Sequence, residues 1–255
     1  MIELNYKLYG QGPPLLILHG LFGSLDNWVS HARKLSENYT VYLIDQRNHG
    51  KSPHAAPWDY PTMAEDLYDF MTQHGIYKSH LLGHSMGGKT LIQFATLYPE
   101  MIDKLLIADM TPKAYEPHHT HILESLIQID LSKLESRKEA KLLLEEKIED
   151  PSVVQFLLKS LGRNDEKNFR WKFNLELIYK NYERVLDKIE IEEEIDTEAL
   201  FIYGGNSNYL VEGDKQLIQT SFPNATFVRL EGAGHWVHAE KPIEFLTQIQ
   251  KYLES

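Results

Sequence analysis

The 255-residue chain contains no cysteine. Disulfides, thiolate catalysis and cysteine-ligated metals are therefore excluded outright. Basic residues are in deficit: 26 Lys and Arg against 37 Asp and Glu give a formal charge of −11. That balance argues against binding nucleic acid or an anionic membrane surface through net charge. No apolar run approaches the roughly 18 residues of a membrane-spanning helix. The opening MIELNYKLYG puts charged and polar residues where a secretory signal needs an apolar stretch, so a soluble cytoplasmic protein is expected. Repeats and low-complexity tracts are also lacking.

What is present is alternation. PLLILHG (14–20), TVYLIDQ (40–46), SHLLGHS (79–85), DKLLIADM (103–110), EALFIYGG (198–205) and ATFVRLEG (225–232) are short apolar runs ending in glycine or polar residues. Their near-continuous apolarity suits parallel strands covered on both faces. IELNYKLYG (2–10) alternates and reads as an antiparallel edge strand. Amphipathic helical stretches lie between: 26–37 with Asp26 as cap, 62–75 with Thr62 and Glu65 at capping-box spacing, 86–99, 213–223 and 241–255. The expected fold class is α/β, with a mostly parallel central sheet flanked by helices. Residues 113–190 break the rhythm and read as helices throughout. The expected organisation is a core of 1–112 and 191–255 with a helical insertion, or cap, at 113–190.

The chemistry concentrates at LLGHSMGGKT (81–90). Gly83-x-Ser85-x-Gly87 lies between a strand and a helix, the context in which such a serine is a nucleophile. The turn must be sharp, and the flanking glycines remove side chains that would collide. A serine needs a base. Of the 12 histidines, His235 in EGAGHWVHAEKP is the best placed, after the last strand in a glycine-flanked loop. His238 is its rival, and strand alternation points His84 away. For the acid, the loop GGNSNYLVEGD carries Ser207 where an aspartate would be expected, with Glu212 and Asp214 further on. The alternative is Asp109, at the end of the preceding strand KLLIADM. Oxyanion donors are the amides of Met86 and of Leu21, the latter in HGLFG (19–23). Substrate-binding candidates are Phe22, Ser207, Phe169, Trp171 and Trp236. The aromatic residues of 169–173 equally suit a core inside the insertion. The histidines of EPHHTH (116–121) lack a metal-binding spacing, and no metal site is expected.

HGLFG, DQRNHGKSP, GHSMGGK and GHWVHAEKP resemble, in order and spacing, the α/β-hydrolase superfamily, and within it the YbfF-type esterases. FRWKFN (169–174) is similar as well, so the resemblance covers nearly the whole chain. It implies a hydrolase of carboxylic esters or acyl thioesters with no cofactor. It also implies a helical cap over the sheet's carboxyl edge, Ser85 as nucleophile, Asp109 as acid and His235 as base. Arg47, Asn48 and His49 then form a supporting turn, with Arg47 paired to a carboxylate or to carbonyls. The expected partner is a small acyl ester or thioester, without nucleic acid or stable membrane insertion. Oligomeric state is left open. Rival readings are a carbon–carbon bond hydrolase, a menaquinone-pathway-type lyase and a non-catalytic receptor.

Overall fold

The structure, a computed structural model, describes residues 2–255. The strands are β1 (Tyr6–Tyr9), β2 (Pro14–Leu18), β3 (Thr40–Ile44), β4 (Ser79–His84), β5 (Ile102–Ala108), β6 (Leu161–Arg163), β7 (Phe169–Trp171), β8 (Ala199–Gly204) and β9 (Ala225–Leu230). The helices are α1 (Val29–Leu35), α2 (Tyr60–Gln73), α3 (Met86–Leu97), α4 (Thr120–Ile127), α5 (Arg137–Glu145), α6 (Pro151–Lys159), α7 (Leu175–Asn181), α8 (Asp214–Ser221), α9 (Val237–Glu240) and α10 (Pro242–Leu253). Seven strands form one sheet in the order β1-β3-β2-β4-β5-β8-β9. Only β1 is antiparallel, pairing with β3 at the edge; the other pairings are parallel. This is the α/β-hydrolase fold expected from the sequence.

Both faces of the sheet are covered, which is why its central strands read as apolar runs. Leu15, Ile17, Leu82 and Ile202 face a cluster with Trp28, Leu35 and Phe245. Leu16, Leu18, Leu81 and Phe201 face the other, with Phe70, Phe94 and Phe222. Each fully buried aliphatic side chain of this kind contributes about 1.5–3 kcal/mol. From β2 the chain moves outward to β3, then returns to β4 on β2's other side. The strand order therefore reverses between β2 and β4, and a crevice opens beyond their carboxyl ends, where ligands of such sheets bind. Leu21 follows β2 and Ser85 follows β4.

Two helix starts differ from expectation. α2 begins at Tyr60, because the Asp59 carboxylate accepts from the Thr62 amide at 3.0 Å. Glu65 instead accepts from the Tyr98 hydroxyl at 2.8 Å. At the other, a 3-10 turn over Leu25–Trp28 precedes α1, and Asp26 pairs with Lys7 at 2.7 Å rather than capping.

The segment 113–190 is not wholly helical. β6 and β7 pair antiparallel, with Leu161 opposite Trp171 and Arg163 opposite Phe169. The reason is a period of two: Phe169 and Trp171 are buried while Arg170 is exposed. Lys167, at φ 67°, turns the connection. The segment is tied to the rest of the chain by bonds from the Tyr60 hydroxyl of α2 to the Val185 carbonyl (2.7 Å) and from the Ser160 hydroxyl to the Phe22 carbonyl (2.5 Å). The Asn174 amide donates to the Asn48 carbonyl at 2.8 Å. Among the described residues no helix is long and apolar enough to cross a membrane.

Candidate active site

β4 is buried along its whole length and ends at His84. Ser85 then takes φ 53° and ψ −121°, and α3 starts at Met86. A non-glycine residue in such a region costs about 1–3 kcal/mol, held in place by its surroundings. Here the surroundings are the glycines. A Cβ on Gly83 would lie 2.5 Å from the Gly87 carbonyl oxygen, and one on Gly87 would lie 2.6 Å from the Leu18 carbonyl oxygen. The close approach of β4, α3 and β2 sets Ser85 at the helix N-terminus, where partial positive charge favours an anion.

His235 comes to Ser85 from 150 residues away in the chain. Its Nε2 lies 2.9 Å from Ser85 Oγ and its Nδ1 lies 2.7 Å from Asp109 Oδ2. The carboxylate can only accept, so Nδ1 carries the proton and Nε2 accepts from the serine hydroxyl. Asp109 follows β5 at φ 50° and is wholly buried. It also accepts from the Gly204 amide at 3.1 Å and from the Ser207 hydroxyl at 2.5 Å. Burial pushes the Asp109 carboxyl up to about 6, against the pull of those two donors. Burial holds the His235 imidazole down, to about 3, and His118 lowers it further. At neutral pH the pair is a neutral imidazole beside an ionised carboxylate.

The rival residues lie elsewhere. Asp214 receives the Lys113 ammonium at 2.5 Å and the Val211 amide at 2.9 Å. Glu212 pairs with Lys215 at 2.8 Å. His238 stacks on Trp28 at 4.4 Å. His84 does not point clear of the site: its Nε2 lies 2.9 Å from the His235 carbonyl oxygen, and its ring packs at 4.7 Å against the His235 ring. It supports the backbone of the loop that carries His235.

Leu21 and Met86 border one cavity with Ser85. Neither amide donates within the described residues, so both can serve an added oxyanion. A larger cavity of about 220 Å³ is bordered by Phe22 and Trp236, among others. Three of the expected substrate residues, Ser207, Phe169 and Trp171, do not border these cavities. Ser207 is turned to Asp109, its hydroxyl spent on the carboxylate. Phe169 and Trp171 lie outside both cavities. Phe169 packs under the Arg163 guanidinium at 4.0 Å, and Trp171 stacks on Phe173 at 5.6 Å; as hairpin residues they fill the insertion's core.

Tyr209, His118 and His119 also border the site. The Tyr209 ring stacks on His235 at 3.7 Å and 15°, and its hydroxyl meets His118 Nε2. Tyr209 stands two residues after Ser207, in the loop GGNSNYLVEGD. His118 and His119 of the EPHHTH stretch border both cavities. His121 instead lies exposed against the Lys147 carbonyl at 2.5 Å. Arg47 makes a buried ion pair with Asp66, its second nitrogen reaching the carboxylate at 2.7 Å. His49 is wholly buried behind it.

Comparisons with known proteins place the chain among α/β hydrolases. The model of the α/β hydrolase fold family matches residues 13–131. A putative esterase/lipase of Haemophilus influenzae is 41% identical, over 98% of this chain and 88% of that protein. Esterase YbfF of Escherichia coli is 37% identical, over 94% of this chain and 92% of its own length. Among solved structures, a marine microorganism esterase superposes with a TM-score of 0.96 at 40% identity, covering 98% of this chain and 99% of that one.

Proposed function

The chain belongs to the α/β-hydrolase family, and from that premise we propose that it hydrolyses carboxylic esters through Ser85, His235 and Asp109, by way of an acyl-enzyme. The supporting observation is the continuous relay from Ser85 Oγ to His235 (2.9 Å) to Asp109 (2.7 Å). As Ser85 Oγ attacks the ester carbonyl carbon, His235 Nε2 takes its proton. The oxyanion that forms receives the amides of Leu21 and Met86, each such donor being worth about 2.7–4 kcal/mol in the transition state. The Asp109 carboxylate balances the imidazolium. His235 then returns the proton to the leaving oxygen, or to sulfur in a thioester, and the acyl–serine ester remains. Water attacks that ester by the same route, releasing the acid and restoring Ser85. Residues 113–190 act as the cap that closes the site from solvent.

Ser85→Ala tests this. Turnover of p-nitrophenyl acetate should fall roughly a million-fold, with the circular dichroism spectrum retained and labelling by a fluorophosphonate lost. Activity surviving in the folded variant would overturn the mechanism.

A further inference from the structure

Ser85 stands where two unequal cavities meet. One, of about 220 Å³, is walled by Phe22, Ile122, Val153, Phe156 and Trp236, and His235 borders it. The other, of about 30 Å³, is bordered by Met110, Tyr60, Tyr115 and Leu186 beyond the two oxyanion donors, Leu21 and Met86; His235 does not border it. That difference assigns the arms. At the tetrahedral carbon one substituent is Ser85 Oγ, and the oxyanion lies toward Leu21 and Met86. The leaving oxygen must lie toward His235 Nε2, which gives it a proton. The acyl chain takes the remaining direction. The leaving group therefore occupies the large apolar arm, and the acyl chain faces the small recess.

The recess is also stiff. The Tyr60 hydroxyl is bonded to the Val185 carbonyl at 2.7 Å, and the Tyr115 hydroxyl to the Tyr209 carbonyl at 2.9 Å. The Lys89 ammonium pins the Leu186 carbonyl at 3.3 Å. On the same measure the recess has about a seventh of the volume of the larger arm. On the serine-esterase reading above, we infer that this enzyme selects short acyl groups carried on a bulky apolar alcohol or thiol.

The test uses two isomers, hexyl acetate and ethyl hexanoate, which share one composition and place the long chain on opposite sides of the ester. Acid release is followed by pH-stat on the whole protein. A single methylene too many in a close-fitting pocket costs roughly 10–200-fold, so kcat/KM for hexyl acetate should exceed that for ethyl hexanoate by about tenfold or more. Leu186→Ala, which deepens the recess, should narrow that ratio by about tenfold. Equal or reversed preference in the unaltered protein overturns the assignment of the arms and leaves the serine mechanism standing. So does failure to turn over either isomer while a fluorophosphonate still labels Ser85. Failure of both hydrolysis and labelling overturns the serine mechanism, and the inference with it.

Discussion

Asp109 has no solvent contact yet receives three donors, from His235, Gly204 and Ser207. Such bonds favour the charged form, whereas burial opposes it, and the carboxyl ends up raised to about 6. It stays ionised at neutral pH, able to hold the proton on His235 Nδ1. Asp109→Asn keeps the shape but offers an amide donor to Nδ1, which turns the imidazole to the wrong tautomer. The expected fall in kcat is about 10⁴-fold. Asp214→Asn weakens the carboxylate's pairing with Lys113 and its bond from the Val211 amide and should stay within about tenfold of the parent, since a partly exposed ion pair contributes little. Steady-state kinetics on both variants decides the matter; the opposite ranking would move the acid to the loop after β8.

At the scale of elements, the turn from β4 to α3 depends on glycines packed against backbone. Gly87→Ala would drive a Cβ to 2.6 Å from the Leu18 carbonyl oxygen. That atom belongs to β2 and cannot swing aside as a side chain can, so α3 must lift from the sheet. Destabilisation of about 1–3 kcal/mol or more is expected, read by urea unfolding. Gly213 is the control. A Cβ there meets nothing within 4 Å, and the backbone is already right-handed at φ −65°. Gly213→Ala should be neutral or stabilise by about 0.4–1 kcal/mol. The hairpin of β6 and β7 shows the opposite case, where local pattern misleads. Three residues of alternation inside a helix-rich segment were too few to declare a strand. Pairing with residues 161–163 stabilises it, and that is not a local property.

Across the whole molecule, a buried amine joins the insertion to α3. Lys89, wholly buried in α3, reaches the carbonyls of Leu186 and Asp187 and lies near the faces of Tyr60 and Tyr115. Burial lowers its pKa from 10.5 to about 7. Between those values the unfolded chain holds a proton that the folded one has released, so this group makes stability rise with pH across that window. The slope is at most about 1.4 kcal/mol per pH unit. Lys89→Met should lack that rise. Unfolding free energies at pH 7, 8 and 9 should diverge in favour of the parent; parallel profiles would contradict the burial argument.

Residue types and spacing alone determined the parallel sheet, the interrupted alternation of strands and helices, and the serine turn. These follow from local physics: apolar runs need cover on both faces, and a sharp strand-to-helix turn needs glycines. The choice among Asp109, Glu212 and Asp214 as His235's partner was different. So was the turning of Ser207 toward the carboxylate, the stacking of Tyr209 on the imidazole and the inequality of the two cavities. Each depends on contacts between separate stretches of the chain, from 26 residues apart (Tyr209 and His235) to 126 (Asp109 and His235), which tertiary packing sets and no short stretch of sequence contains.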